Sequence, residues 1–90
     1  EALVGEWYQD GEAGAVSILV IYQTGIWDLY ERPGGDGDPV MVDRGTLEGG
    51  SGGLYQAPSV VYDGVVYNMT VVSGDTLYWG GENDCYQKLT

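Results

Sequence analysis

The chain reads as all-β: a small antiparallel up-and-down meander closing into a roughly eight-stranded barrel, with a two-sheet sandwich as the alternative. Three observations predict this. About eight short apolar runs, rich in β-branched and aromatic residues, each end in a Gly-containing or polar turn. No window repeats apolar residues at i, i+3, i+4 and i+7 over a helix length. The connections are about two to seven residues long, and a parallel crossover needs about a dozen. Residues 1–90 are enough for one domain with a thin core. An open sheet of so many strands would leave two free edges and a bare apolar face, so closure is favoured.

The first run, Ala2 to Gln9, carries Gly5-Glu6-Trp7 and ends at the turn from Asp10 to Gly14. The second, Ala15 to Gln23, is dense in β-branched residues, and Thr24-Gly25 reverses it. The third, Ile26 to Arg32, alternates Trp27, Leu29 and Glu31 against Ile26, Asp28, Tyr30 and Arg32. Pro33 to Pro39 is a loop, because proline cannot donate to a ladder and the glycines permit positive φ. The fourth run is Val40 to Glu48. Gly49-Gly50-Ser51-Gly52-Gly53 has the composition of a flexible linker, natural or spliced in. That leaves open a designed or loop-edited scaffold without native function. In the fifth run, Leu54 to Tyr62, Pro58 signals an edge or a bulge. Asp63-Gly64 suits a type I′ hairpin. The sixth run alternates Val65, Tyr67, Met69 and Val71 against Val66, Asn68, Thr70 and Val72. Ser73-Gly74-Asp75 reverses it into Thr76–Trp79; Gly80 to Asn83 then turns the chain into Asp84–Leu89.

This alternation predicts an inward set of Trp7, Val16, Ile18, Val20, Tyr22, Trp27, Leu29, Val42, Tyr67, Met69, Val71, Leu77 and Trp79. Eight tyrosines and three tryptophans stand without a phenylalanine. Tyr8, Tyr30, Tyr55, Tyr62 and Tyr78 are expected at outward or rim positions, as cross-strand pairs or as a recognition surface.

Fourteen acidic residues face three basic ones, Arg32, Arg44 and Lys88, for a net charge of −11. Three cations cannot build a stripe for a phosphate backbone or an anionic membrane, so no nucleic acid is expected as partner. No run reaches the ~18 apolar residues of a spanning helix, so no membrane insertion is expected. The acidity reads as a solvated surface, or else as a module that docks on a basic protein surface. The carboxylates are scattered over most turns rather than set at phosphate-like spacing, against a nucleic-acid mimic. The sequence leaves the oligomeric state open. The first residue is Glu1 with no signal-peptide pattern before it, so a mature fragment of a longer protein is expected.

Catalysis has few candidates. There is no His to act as a base, and no serine sits in a nucleophile elbow or a Ser-x-x-Lys unit. No Gly-x-Gly-x-x-Gly links a strand to a helix. The expectation is no enzyme and no cofactor. Cys85 stands alone, which bars an intrachain disulfide and a Cys/His zinc site, and it reads as a small buried hydrophobe. Asp36 and Asp38, with Glu31 nearby, offer oxygen ligands for calcium but lack the EF-hand spacing, and read as a solvated turn. Asn68-Met69-Thr70 matches the glycosylation sequon but falls inside a strand.

Gly5-Glu6-Trp7 resembles the Gly-x-Trp opening of lipocalins and of the shorter lipocalin-like domains of bacterial secreted proteins and lipoproteins. Gly74-Asp75-Thr76-Leu77-Tyr78-Trp79, a turn, then Tyr86-Gln87-Lys88-Leu89 resembles the closing hairpin of those short domains. The resemblance implies that Trp7 packs at the closed end of the barrel beside a basic residue of the last strand. Lys88 holds that position here; the larger lipocalins typically have Arg. It also implies a non-catalytic binding or accessory domain of an extracytoplasmic bacterial protein, extracellular or in the cell envelope. A small apolar ligand would then sit in the barrel interior, against Trp7, Val20, Tyr22, Trp27, Leu29, Tyr67, Met69 and Trp79. Eight short strands leave room for side chains or for one small ligand, so a packed interior and a small cavity are the two alternatives.

Overall fold

The computed structural model describes residues 3–10, 15–32, 37–80 and 85–89. The turn residues expected at 11–14, 33–36 and 81–84, Asp36 among them, lie outside the described residues. Nine strands are described: β1 (Gly5–Asp10), β2 (Val16–Ile21), β3 (Ile26–Arg32), β4 (Val40–Thr46), β5 (Glu48–Gly49), β6 (Leu54–Pro58), β7 (Val66–Ser73), β8 (Thr76–Trp79) and β9 (Cys85–Lys88). They form one antiparallel sheet in the order β4-β3-β2-β1-β9-β8-β7-β6-β5.

The first strand pairs with the last: Trp7 lies opposite Lys88 and Tyr8 opposite Gln87. β4 and β5 are one chain path interrupted at Leu47, pairing with β3 on one side and β6 on the other. The sheet therefore has eight staves, as the run count predicts, and it curls into a nearly closed barrel. The seam lies between β4 and β6. There Gly45 bridges Ser59, and the Val60 amide donates to the Arg44 carbonyl at 2.8 Å.

Gly45 makes this approach possible. A Cβ at that position would press into the Pro58 carbonyl oxygen and come within 2.6 Å of Trp27 Cζ2. The linker-like segment is also explained by geometry. It forms a 3-10 turn over Ser51–Gly53, closed by the Gly53 amide donating to the Gly50 carbonyl. Gly53 has φ 80°, and a Cβ there would sit 2.7 Å from the Val71 carbonyl oxygen. A residue with a side chain cannot make that turn without moving β7.

The core comprises Trp7, Leu19, Ile21, Trp27, Ala57, Met69, Leu77, Trp79 and Tyr86. Two strands depart from their expected phase. In β2 the inward residues are Leu19 and Ile21, opposite Trp7 and Trp27 respectively. Ile18, Val20 and Tyr22 alternate with them and so occupy the outer face; Val16 shares their phase but is buried, as expected of it. The cause is composition: β2 is apolar on both faces, so alternation carries no phase. In β4 the register with β3 jumps from Asp43 to Met41 at a bulge, which leaves Val42 out and turns Asp43 inward opposite Leu29. The fifth run also ends earlier than Tyr62. β6 stops at Pro58, and residues 59–65 form a wide connection whose last turn is closed by the Val65 amide donating to the Tyr62 carbonyl. Cys85 is half-buried on β9 rather than part of the core.

Candidate functional site

The interior set divides clearly. Trp7, Trp27, Met69 and Trp79 are buried, and Leu29 and Tyr67 pack partly buried against them. Val20 and Tyr22 are corrected to the outer face; Tyr22 is 40% exposed. The middle of the barrel is occupied by rings. Trp27 meets Trp79 edge-on at 4.8 Å between centroids and Tyr67 at 5.9 Å, and Tyr67 lies 5.2 Å from Trp79. Such pairs add about 0.5–1.5 kcal/mol each beyond their buried area. Trp27 Nε1 donates to the Thr46 carbonyl at 2.8 Å, so this large side chain has no unmet polar atom. At one end, Trp7 Nε1 donates to the Leu3 carbonyl at 3.0 Å, and Lys88 Nζ stands 5.5 Å from the Trp7 ring. That is the Trp–cation contact implied for Trp7 and Lys88.

Two carboxylates are buried, each 1% exposed. Asp43 points inward and ties the seam together. It accepts from Ser59 Oγ at 2.5 Å, from the Arg44 amide at 2.7 Å and from Tyr67 Oη at 2.7 Å. Burial, then the bond to Asp43, raises the Tyr67 phenol to about 12. Asp28 points outward, in register with Val20 and Arg44. It accepts from Arg44 Nε at 2.7 Å, from Tyr22 Oη at 2.9 Å and from Tyr30 Oη at 3.5 Å. Burial alone would raise the Asp28 carboxyl; the bonds from Arg44 and Tyr22 outweigh it and hold it below its ordinary range. The bond to Asp28, with some burial, lifts the Tyr22 phenol to about 12. Because Asp28 and Asp43 lie on opposite faces of the sheet, they do not form an acid–base pair.

Above Asp28 the outer face of β1–β4 is unusual for a barrel exterior. Ile18 and Val20, both half-buried, combine with Tyr22, Tyr30, Pro39 and Glu6 to line a cleft of about 470 Å³. Ligand pockets typically fall between roughly 300 and 1,000 Å³. Tyr22 is held by its hydroxyl on the buried Asp28 at 2.9 Å, so its ring is oriented before any ligand arrives, and the Tyr30 hydroxyl lies 3.5 Å from the same carboxylate. Two other hollows are less constructed. A smaller one of about 210 Å³ lies at the barrel end against Leu3, Leu47 and Tyr55. A wider one of about 660 Å³ lies over β5–β7, lined by Leu54, Tyr55 and Met69 together with Gln56, Asn68, Thr70 and glycine backbone, and no carboxylate lines it. Among the described residues, no group of three or more His, Cys, Asp or Glu gathers as a metal site. No helix there is long and apolar enough to cross a membrane.

Sequence reasoning missed both buried carboxylates, having assigned the acidic residues to a solvated surface. The signal was present: Asp28 and Asp43 interrupt apolar strand segments, where aspartate is disfavoured unless it has partners. Comparison with protein-family models, with curated proteins and with solved structures found no match.

Proposed function

We propose that this domain is a non-catalytic, lipocalin-like binding domain of an extracytoplasmic bacterial protein. Its small apolar ligand sits in the cleft on the outer face of β1–β4, not in the barrel interior. The observation that carries this reading is Ile18, Val20, Tyr22 and Tyr30 together on an exterior face, over an anchoring carboxylate, while rings occupy the barrel centre. A solvated exterior gains nothing from that stripe, whereas a ligand covering it gains about 25 cal/mol per Å² of apolar surface removed from water. Gly5-Glu6-Trp7 and the Trp7–Lys88 contact support the lipocalin-like assignment. The separation of the two buried carboxylates favours binding over acid–base chemistry.

An environment-sensitive apolar dye tests the reading. The parent chain should enhance its emission, and Ile18→Glu should abolish the enhancement while the far-ultraviolet circular dichroism stays that of the parent. No enhancement in the parent, or equal enhancement in the variant, contradicts it.

A second reading, an acidic module docking on a basic protein surface, is favoured by the net charge of −11, with an exposed apolar rim beside the seam as its contact surface. Val40, Met41, Val60, Val61, Tyr62 and Val66 are all exposed on β4, the 59–65 connection and the start of β7. That reading expects affinity for a basic partner to fall steeply with added salt. Association indifferent to salt counts against it.

A further inference from the structure

Resting on the cleft reading above, we infer that the ligand carries a cationic head on its apolar body, an alkyl- or arylammonium compound, and that Glu6 is its counter-ion. Strand register sets one row across the outer face: Glu6, Val20, Asp28 and Arg44, on β1, β2, β3 and β4. Arg44 is engaged by Asp28 at 2.7 Å, which leaves that end of the row neutral. Glu6, at the other end, is exposed and lines the cleft, and among the described residues its side chain has no hydrogen bond or ion pair. Neither remaining cation lines the cleft. Arg32 lies opposite Val16, one row beyond Ile18 and Tyr30, and Lys88 stands over the Trp7 ring. The walls include two tyrosine rings, Tyr22 tied by its hydroxyl to Asp28, and ring faces attract ammonium groups by their quadrupole. The net charge of −11 raises the local concentration of cations around the whole domain. Glu6 gives that general attraction a fixed position beside an apolar floor.

Three probes of equal chain length separate the contributions by calorimetry on the full chain, the two ions kept below their micelle concentrations and the alcohol below its solubility limit: octyltrimethylammonium, octan-1-ol and octanoate. The ammonium should bind roughly fivefold or more tighter than the alcohol, and octanoate weakest of all. Glu6→Gln should bring the ammonium to within about twofold of the alcohol. Glu48→Gln, an exposed carboxylate on β5 that removes the same charge elsewhere, should leave the preference in place. If the alcohol binds but the ammonium binds no tighter, or Glu48→Gln loses as much as Glu6→Gln, the cationic head is wrong and the cleft stands. If none of the three binds, the cleft reading fails and this inference with it.

Discussion

Gly45→Ala is the substitution that bears most directly on barrel closure. The added methyl would press into the Pro58 carbonyl oxygen and lie 2.6 Å and 2.8 Å from Trp27 Cζ2 and Cε2. Neither neighbour can yield cheaply. Pro58 is paired to Val66 across β6 and β7, and Trp27 is fully buried with its indole nitrogen bonded to the Thr46 carbonyl. Overpacking of this kind costs about 1–3 kcal/mol. Loss of the Val60–Arg44 backbone bond at the seam adds to it, so about 2 kcal/mol or more is expected. For a domain of this size each kcal/mol moves the midpoint by roughly 4–8 °C, giving a drop of about 8–16 °C. Near-ultraviolet circular dichroism of the tryptophans follows the melt, and hydrogen exchange at the Val60 amide reports the seam itself. Gly74→Ala is the control, because nothing lies within 4 Å of its Cβ position and its φ is outside the left-handed region. It should leave the midpoint unchanged or raise it slightly. If both variants melt within about 2 °C of the parent, the close approach at Gly45 does not exist and the seam argument fails with it.

Other outcomes follow from the buried groups. Tyr67→Phe leaves Asp43 without one of its donors and should cost about 1–3 kcal/mol in urea unfolding; an unchanged midpoint would show that the Asp43 cluster does not hold the seam. Trp79→Ala should cost about 3–5 kcal/mol, because its ring fills the space beside Trp27 and Tyr67; a cost under about 1 kcal/mol would mean a loosely packed centre. On the alkaline side, Tyr22 and Tyr67 have folded values raised to about 12 against 10.0. Their contribution is therefore complete below pH 10 and disappears as pH rises towards 12; ultraviolet absorbance of Tyr22→Phe and Tyr67→Phe should each lose one late-ionising phenol relative to the parent, and no such loss would contradict the bonds to Asp28 and Asp43. On the acid side, the lowered Asp28 carboxyl contributes stability above the ordinary carboxylate range that is lost as pH falls through its folded value. The stability gap between the parent and Arg44→Met should shrink from pH 5 to pH 3, and a gap that stays constant would detach Arg44 from Asp28.

The architecture was legible because turns and periodicity are local. Gly25 reverses the chain between β2 and β3 as expected, Asp63-Gly64 bends it but inside a wider connection than the two-residue hairpin expected, and Tyr67, Met69 and Val71 on β7 keep the inward phase that their alternation indicates. The first strand meeting the last follows from the same economy of edges. The outer cleft was not legible, for one physical reason. Alternation identifies a buried face only when the other face is polar, and β2 is apolar on both. Val16, Ile18, Val20 and Tyr22 form as good an inward series as Leu19 and Ile21 until pairing with Trp7 and Trp27 selects one. Val42 failed differently, because a bulge cannot be seen from one strand alone. The buried carboxylates interrupt apolar segments, which signals burial, but their partners lie far away in sequence, Arg44 for Asp28 and Tyr67 for Asp43, and the local pattern does not name them. Gly45 reads as an ordinary position inside the fourth run and Gly53 as a linker residue, yet each is required where another segment passes too close for a side chain.

Binding on the outer face and binding in the barrel interior move different signals, and one titration separates the two directly. Heteronuclear resonance mapping with octyltrimethylammonium should move the amides of Ile18, Val20 and Tyr30 and leave the indole signals of Trp27 and Trp79 and the Met69 methyl where they are. Movement of the indole and methyl signals with the outer amides at rest would put the ligand in the barrel and contradict the central claim.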